Sequence, residues 1–402
     1  MDSNKDAGEV RTARQSLVRL TSIRNLLLST ALGFTSFSLP LAAVPLWAVQ
    51  EGTPGAAAGT VTSAMLASTI VAQSMVPALA AKIGMNRSLG LGLALLTIPS
   101  LLYLVWSDLT ALLVVSVLRG GGFAIVTVVG VALATTLAPP DRQGESVGLF
   151  GLAASLPNLL GVPIGVLLTQ IGEFRWVALI AAAPCLATPI IMRLPDTEEP
   201  SRMSTDVHAR QTLASRRSLI ISSVVLFTTV LAYGGLITFL PIERPEGHVA
   251  PVGLLIVGAA AAFMRWNIGA LSDRLGIWQL TAIAVSGAPL GAALMGAGLT
   301  NAAASAVLLI AGCAIFGLSY GALQTLTLLM TMKAAGVERA ATASATWNIS
   351  FDAGLSVGAF SIGLIASTQI GAAGSFFALA GLLAVNLPLA FWASKQFGAR
   401  PN

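Results

Sequence analysis

Charged residues, and the side chains that build catalytic or metal sites, are scarce in this sequence. Asp, Glu, Lys and Arg make up 10% of its 402 residues, against about 25% in a soluble globular protein, which argues against a water-soluble fold. The two histidines fall in connections and the two cysteines in apolar runs. The sequence shows no His, Cys and carboxylate set spaced for a metal, no paired carboxylates near the apolar runs and no phosphate-binding loop after a strand. We therefore expect no enzymatic activity, no metal and no cofactor.

Hydrophobic residues are abundant instead, at 55% of the chain with a mean hydropathy of +0.83. A membrane-spanning helix needs about 20 predominantly apolar residues, and runs of this kind recur along the chain. They lie near 24–49, 57–80, 88–106, 109–138, 146–170, 175–193, 218–242, 250–271, 278–299, 302–332, 341–369 and 373–394. The composition predicts an all-α, multi-pass membrane protein whose surroundings are the lipid bilayer.

Basic residues indicate the orientation of these helices. Of the 22 Lys and Arg residues, Arg175 and Arg244 lie in odd-numbered connections, and two others, Arg119 and Arg265, lie within or near the end of apolar runs. The rest lie in the termini and the even-numbered connections. Because positive charge is retained on the cytoplasmic side, we expect cytoplasmic termini and a location in the plasma (inner) membrane. The pI near 9.7 then reflects topology, and we expect no nucleic-acid partner.

A charged, Pro- and Ser-rich connection divides the apolar runs into six and six. It covers residues 194–217, so we predict an N-terminal six-helix bundle over 1–193, a cytoplasmic linker, and a C-terminal six-helix bundle over 218–402. Sliding one half on the other places QSMVPALAAKIG, which begins at Gln73, on RWNIGALSDRLG, which begins at Arg265. The two halves are therefore expected to be internal repeats.

Three short motifs extend this interpretation: GALSDRLG from Gly269, RGGGFA from Arg119 and PNLLGVPIG from Pro157. The first resembles the Gly-x-x-x-Asp-Arg-x-Gly loop signature of the major facilitator superfamily. The second resembles the fourth-helix Arg/Gly motif of that superfamily, and the third its Gly/Pro-rich fifth helix. The resemblance implies twelve transmembrane helices in two pseudo-symmetric six-helix bundles, around a central cavity that opens alternately to each side. We expect such a protein to be a monomer.

The same resemblance implies a cytoplasmic gate, for which we name Lys82, Arg265, Gly269, Asp273 and Arg274. Asp273 would hold the halves together at the start of the fifth helix, where exposed amides and the helix dipole favour an acid, while Arg265 and Arg274 offset its charge. The alternative is a solvated turn. The first half lacks an acid in the equivalent segment around Lys82, so we expect the outward-facing state to be held less strongly than in relatives with both acids.

Two charged residues, Arg119 and Asp352, lie about 15 Å deep in the predicted spans. A charge at this depth costs about 2.5–3.5 kcal/mol on insertion scales, which makes a functional role the first hypothesis. Asp352 is the candidate proton carrier, with Asn348 one turn away as a hydrogen-bond partner. A cavity that brings Asp352 and Arg119 together in one state and separates them in another would load and release a proton. The alternatives are a structural polar group for Asp352 and a helix brace for Arg119.

In that superfamily, helices one, four, seven and ten line the cavity. Carried over, this implies Arg119 as a ligand for an anionic substrate group, and five further candidate substrate-binding residues: Ser36, Ser38, Tyr233, Tyr320 and Gln324. Hydrogen bonding between helices is the alternative for each.

The function implied is a secondary active transporter that exports a small organic molecule, a drug-like compound or a metabolite, in exchange for protons. The sequence shows no ATP-binding element, so the proton gradient is the expected driving force. An uptake symporter or a uniporter for an anionic or amphipathic metabolite is the alternative.

Overall fold

The computed structural model describes residues 17, 20–139, 142–187, 191, 213–245, 247–300, 305–335 and 340–397. These residues are helical almost throughout, with no strand in the ranges given. The helices are α1 (Thr21–Gln50), α2 (Gly55–Ile83), α3 (Met85–Leu102), α4 (Leu109–Thr136), α5 (Gln143–Gln170), α6 (Phe174–Ala181), α7 (Leu213–Glu243), α8 (Val249–Leu275), α9 (Ile277–Thr300), α10 (Ser305–Ala335), α11 (Ala340–Ala366), α12 (Gly371–Ala384) and α13 (Asn386–Phe397).

Eleven helical segments of the described residues are long and apolar enough to cross a membrane, and the shorter apolar segment Phe174–Leu186 takes the sixth place. This confirms the all-α fold with twelve spans. The predicted sixth run is divided: α6 is followed by a 3-10 turn over Ala183–Leu186, because Pro184 has no N–H with which to continue the α-helical hydrogen bonds.

The twelfth run, predicted as one span, is interrupted at Val385 between α12 and α13. Pro388 follows in the first turn of α13, where a helix tolerates proline because the first N–H groups have no partner within the helix. Most of the predicted linker, residues 194–217, lies outside the described residues. The division into the three predicted segments stays a prediction, and α7 begins at Leu213 rather than at 218.

The helix ends repeat between the halves. The helices α2 and α8 both end at a glycine in the left-handed region, Gly84 with φ +87° and Gly276 with φ +88°, and the next helix begins at the following residue. Lys82 and Arg274 lie in the last turns, where the helix dipole favours positive charge. We call the end of the bundle that holds these residues the basic end, and the other end the opposite end.

The helix packing repeats as well. A Cβ on Gly165 of α5 would overlap the main-chain oxygen of Leu39 on α1, and a Cβ on Gly358 of α11 would overlap that of Leu231 on α7. The second contact is related to the first by almost the same shift that places Arg265 on Gln73 in the sequence. Close backbone approach at glycine therefore joins the first helix of each half to the fifth, and the two bundles are pseudo-symmetric.

Candidate functional site

Arg119 is enclosed within the N-terminal half. The adjoining glycines bring α4 against its neighbours: a Cβ on Gly120 would overlap the main-chain oxygen of Met65 on α2. The Arg119 side chain is 1% exposed. Its Nη1 donates to the Tyr103 hydroxyl at 3.0 Å, its Nη2 donates to the main-chain oxygen of Ser36, and its Nε has no partner in the described part. In this conformation Arg119 braces α1, α4 and the residue that follows α3; contact with a substrate or a proton stays a prediction.

The two serines of α1 are packing groups in this conformation. Ser38 Oγ donates to the main-chain oxygen of Pro157 on α5 at 2.8 Å, and Ser36 Oγ is buried without a partner among the described residues. Both side chains are fully buried inside the N-terminal half. Their predicted contact with a substrate stays a prediction.

The C-terminal half brings the other predicted substrate-binding residues together. The rings of Tyr233 on α7 and Tyr320 on α10 are stacked with centroids 4.3 Å apart. Gln324 lies one turn after Tyr320 on the same face of α10. The packing of α8 on α10 places Arg265 of α8 near both phenol groups. We call these four residues the tyrosine–arginine cluster.

The register of α8 against α10 explains the position of Arg265. A Cβ on Gly317 would lie 2.7 Å from the main-chain oxygen of Val257, and a Cβ on Gly321 would overlap that of Ala261. The second contact lies one turn after the first on both helices. One further turn places Arg265 of α8 beside Thr325 of α10. The Cβ of a helical residue points toward the helix N-terminus, which for α8 is the opposite end, so the side chain reaches toward Tyr320.

Arg265, which the sequence analysis assigned to the gate, lies inside the helix α8, and its role in the gate stays a prediction. The helix α8 continues to Leu275, and Arg265 lies within the candidate span Val249–Gly269, four residues, about 6 Å, from its end. Its side chain is exposed, and the described part of the chain offers it neither a hydrogen bond nor an ion pair. It is a third charge within a candidate span, after Arg119 and Asp352.

Asp352 is paired with an amide from the other half of the protein. Its side chain is 8% exposed, and its Oδ2 accepts a hydrogen bond from Gln73 Nε2 of α2 at 3.0 Å. The predicted partner, Asn348, is exposed one turn nearer the basic end. The described residues show no ion pair between Asp352 and Arg119, because Arg119 is held by Tyr103 and Ser36.

Gln73 and Asp352 lie where a closely packed contact between α2 and α11 ends on the side of the basic end. The Ser63 hydroxyl donates to the Ser356 main-chain oxygen at 2.7 Å, and the Ser356 hydroxyl donates back to that of Ser63 at 3.1 Å. Nearer the opposite end, a Cβ on Gly59 would overlap the main-chain oxygen of Ala359. We call this contact the α2–α11 seam, with Gly59, Ser63 and Gln73 on one side and Asp352, Ser356 and Ala359 on the other.

Further contacts close the opposite end of the protein. Gln170 at the end of α5 donates to the main-chain oxygen of Arg244, which follows α7, at 2.9 Å. The guanidinium of Arg244 donates to the main-chain oxygen of Gly298 at 3.1 Å and to the hydroxyl of Ser305 at 2.6 Å. The bond from Gln170 joins the two halves at the opposite end, as the seam does nearer mid-membrane, while the bonds of the Arg244 guanidinium fix Arg244 within the C-terminal half.

The remaining gate residues lie in helices rather than in a loop. Gly269 and Arg274 belong to the last two turns of α8, and Lys82 to the last turn of α2. The backbone of Asp273 is in the same turn as Arg274, but its side chain lies outside the described residues. The gate therefore stays a prediction.

Three residues that sequence analysis did not single out complete these contacts. Gln73 is the one amide side chain in α2, a signal that an inventory of uncharged polar groups inside apolar runs would have found. Tyr103 follows α3 and bonds to Arg119 of α4, and no local sequence pattern indicates this contact. Arg244 was counted only as a loop charge.

The chain is similar in sequence to known transporters. The model of the Major Facilitator Superfamily matches residues 26–359. The chain is 31% identical over 157 residues to the uncharacterized transporter YgaY of Escherichia coli O157:H7, covering 38% of this chain and 38% of that protein. It is 31% identical over 99 residues to the uncharacterized MFS-type transporter EfpA of Mycobacterium tuberculosis (strain CDC 1551 / Oshkosh), covering 24% of this chain and 18% of that protein. The matched stretches thus span well under half of these curated relatives.

Solved structures show the same fold. A POT family transporter in complex with 5-aminolevulinic acid has a TM-score of 0.77 at 14% identity, covering 93% of this chain and 96% of that one. A bacterial homolog to the human lysosomal transporter Spinster, in an inward-facing and unoccupied conformation, has a TM-score of 0.71 at 16% identity, covering 95% of this chain and 98% of that one. At these identities the likeness shows the fold alone.

Proposed function

Because the chain belongs to the Major Facilitator Superfamily, we propose that it is a secondary active transporter that exports a small organic molecule, a drug-like compound or a metabolite, in exchange for protons. It lies in the plasma (inner) membrane with both termini in the cytoplasm, since the basic end is the cytoplasmic one under the positive-inside rule. The conformation described above is then closed toward the outside. Transport proceeds as the two bundles tilt and open the cavity to each side in turn.

Asp352 carries the proposal of proton coupling. It is a buried acid at mid-membrane depth, and its partner, Gln73, belongs to the other half of the protein. An ionisable residue at that depth is costly and marks an ion or proton path. Since Gln73 and Asp352 end the seam, tilting of the halves changes the surroundings of the carboxyl group. Protonation and conformation are therefore linked, because a proton shifts the equilibrium by its differential affinity for the two states.

Export is supported by motif resemblance. The sequence around Arg119 resembles the fourth-helix motif of many exporters of drugs and metabolites. The stretch Pro157–Gly165 resembles their fifth-helix motif. The first helix has no acid in its span, unlike many proton-driven exporters, so Asp352 takes the proton-binding role. The alternative, an uptake symporter or a uniporter for an anionic or amphipathic metabolite, is favoured by one observation: Arg265 has no ion pair among the described residues.

Proton movement in proteoliposomes distinguishes these functions. Purified protein is reconstituted with the pH dye pyranine inside, and an outward gradient of each compound of a panel is imposed: 1-naphthoate, 1-naphthamide and 1-naphthylmethylammonium. Antiport acidifies the lumen as compound leaves, symport makes it alkaline, and uniport of a neutral compound changes nothing. Acidification that requires the protein supports the proposal. Alkalinisation, or compound exit without a pH change, contradicts it.

We further propose that Asp273 holds the halves together at the basic end when that end is closed, near Glu145 and Ser146 at the start of α5. Support comes from the GALSDRLG resemblance and from the position of Ser146 in the first turn of α5, where amides are exposed. Asp273→Asn should increase labelling of cysteines introduced at the basic end about 2- to 30-fold, as expected for about 0.3–2 kcal/mol. Unchanged labelling and transport would refute this gate.

A further inference from the structure

Arg265 is a positive charge within a candidate span, and the described residues offer it no ion pair or hydrogen bond. A charged side chain within a span is costly in contact with lipid and faces the bundle interior or water. Around it, the Tyr233 and Tyr320 hydroxyls and the Gln324 amide also make no hydrogen bond in the described part of the chain. Arg265 is exposed, and the polar atoms of the other three residues are not among the fully buried unpaired atoms of the described residues. These groups are therefore open to a ligand, which favours a binding site over a structural network.

The repeat shows what is missing beside Arg265. The alignment of the two halves places Arg265 on Gln73, so the two occupy equivalent positions on α8 and α2. Gln73 reaches across to the carboxyl group of Asp352 on α11. The equivalent helix for Arg265 is α5, and α8 packs on α5 where a Cβ on Gly258 would lie 2.8 Å from Leu159 Cδ1.

The helix α5 carries no acid at this level. Its acidic residue is Glu145 in the first turn, which pairs with Arg142, and the equivalents of Asp352 on α5 are the neutral Ser155 and Leu159. One side of the bundle thus has an amide facing a carboxyl group. The other side has a guanidinium facing a helix without one.

We propose that the substrate supplies this carboxylate, so that the transported molecule is a planar or aromatic organic anion bound by Arg265. The planar guanidinium matches a carboxylate with two parallel hydrogen bonds. The stacked rings of Tyr233 and Tyr320 offer a face against which an aromatic or conjugated group packs, and the Gln324 amide contributes a further donor. The inference rests on the proposed function, because it names the substrate class of the same cavity.

Binding of matched probes to the purified full-length protein tests the charge preference. The probes 1-naphthoate, 1-naphthamide and 1-naphthylmethylammonium share one ring system and differ in charge. Calorimetry should show the carboxylate binding at least tenfold tighter than the amide, and the ammonium weakest. Arg265→Gln should remove the preference for the carboxylate, and Arg265→Lys should retain part of it. The control Asn267→Ala changes an exposed side chain of α8 that donates to the main-chain oxygen of Phe263, and it should bind as the parent does.

Equal binding of the carboxylate and the amide, or a preference that survives in Arg265→Gln, would overturn the proposed anion site. This result is distinguishable from failure of antiport. If 1-naphthoate binds through Arg265 but its gradient moves no protons, the anion site stands and antiport is wrong. If 1-naphthoate moves protons equally well in the parent and in Arg265→Gln, antiport stands and the anion site is wrong.

Discussion

Replacing Gln73 with leucine should open the seam between the halves. The change leaves the buried carboxyl group of Asp352 without its hydrogen-bond partner, a loss of about 1–3 kcal/mol for a buried polar group left unsatisfied. That loss applies to the state in which α2 and α11 are in contact, so the equilibrium shifts away from the conformation described here. A coupling of this size corresponds to about a 5- to 150-fold change in population.

Maleimide labelling of a cysteine in the seam measures this shift. Ser63→Cys introduces the probe with little change in shape. Cys185→Ser removes the exposed native cysteine, while Cys313 is buried. In this background, Gln73→Leu should raise the labelling rate about 5- to 150-fold. The matched control Gln143→Leu makes the same substitution at an exposed position at the start of α5 and should leave the rate unchanged.

The double variant completes the test. Replacing both partners by apolar groups is close to neutral, whereas removing one is costly, so adding Asp352→Leu to Gln73→Leu should return the labelling rate toward the parent value. The interaction energy of this cycle isolates the bond between the halves. If Gln73→Leu labels at the parent rate, or if the two substitutions act additively, the bond does not hold the seam and the reasoning is wrong.

Two predictions concern the packing that positions the site. Gly165→Ala should lower the melting temperature in detergent, because its Cβ would overlap the Leu39 main chain. Gly151→Ala should instead raise stability by about 0.5–1 kcal/mol through helix propensity, because nothing lies within 4 Å of that position. Equal melting temperatures for the two variants would contradict the close packing of α1 on α5. Tyr103→Phe removes a hydrogen bond to the Arg119 guanidinium and should cost about 1.5–3 kcal/mol in reversible unfolding, whereas a cost near zero would show that Tyr103 does not brace Arg119.

The helices, their number and the repeat could be predicted, because long apolar runs and a constant offset between the halves can be recognised in the sequence alone. The hydrogen bonds of the predicted site residues could not be predicted, since they depend on how helices from different halves meet. The resemblance assigned Arg265 to the gate, which stays a prediction, and its position within a candidate span near Tyr233 and Tyr320 follows from how α8 packs on α10. Asp352 was found because its charge is conspicuous, whereas its partner Gln73 is neutral and 279 residues away.

Proton coupling through Asp352 is the central claim, and transport by Asp352→Asn tests it most directly. The variant keeps the size and hydrogen-bonding capacity of the side chain but cannot bind and release a proton. In proteoliposomes, exchange of labelled for unlabelled substrate across equal pH should continue at a rate within a few-fold of the parent, while accumulation driven by an imposed pH gradient should vanish. Accumulation by Asp352→Asn at the parent level would show that Asp352 does not carry the proton and would contradict the mechanism.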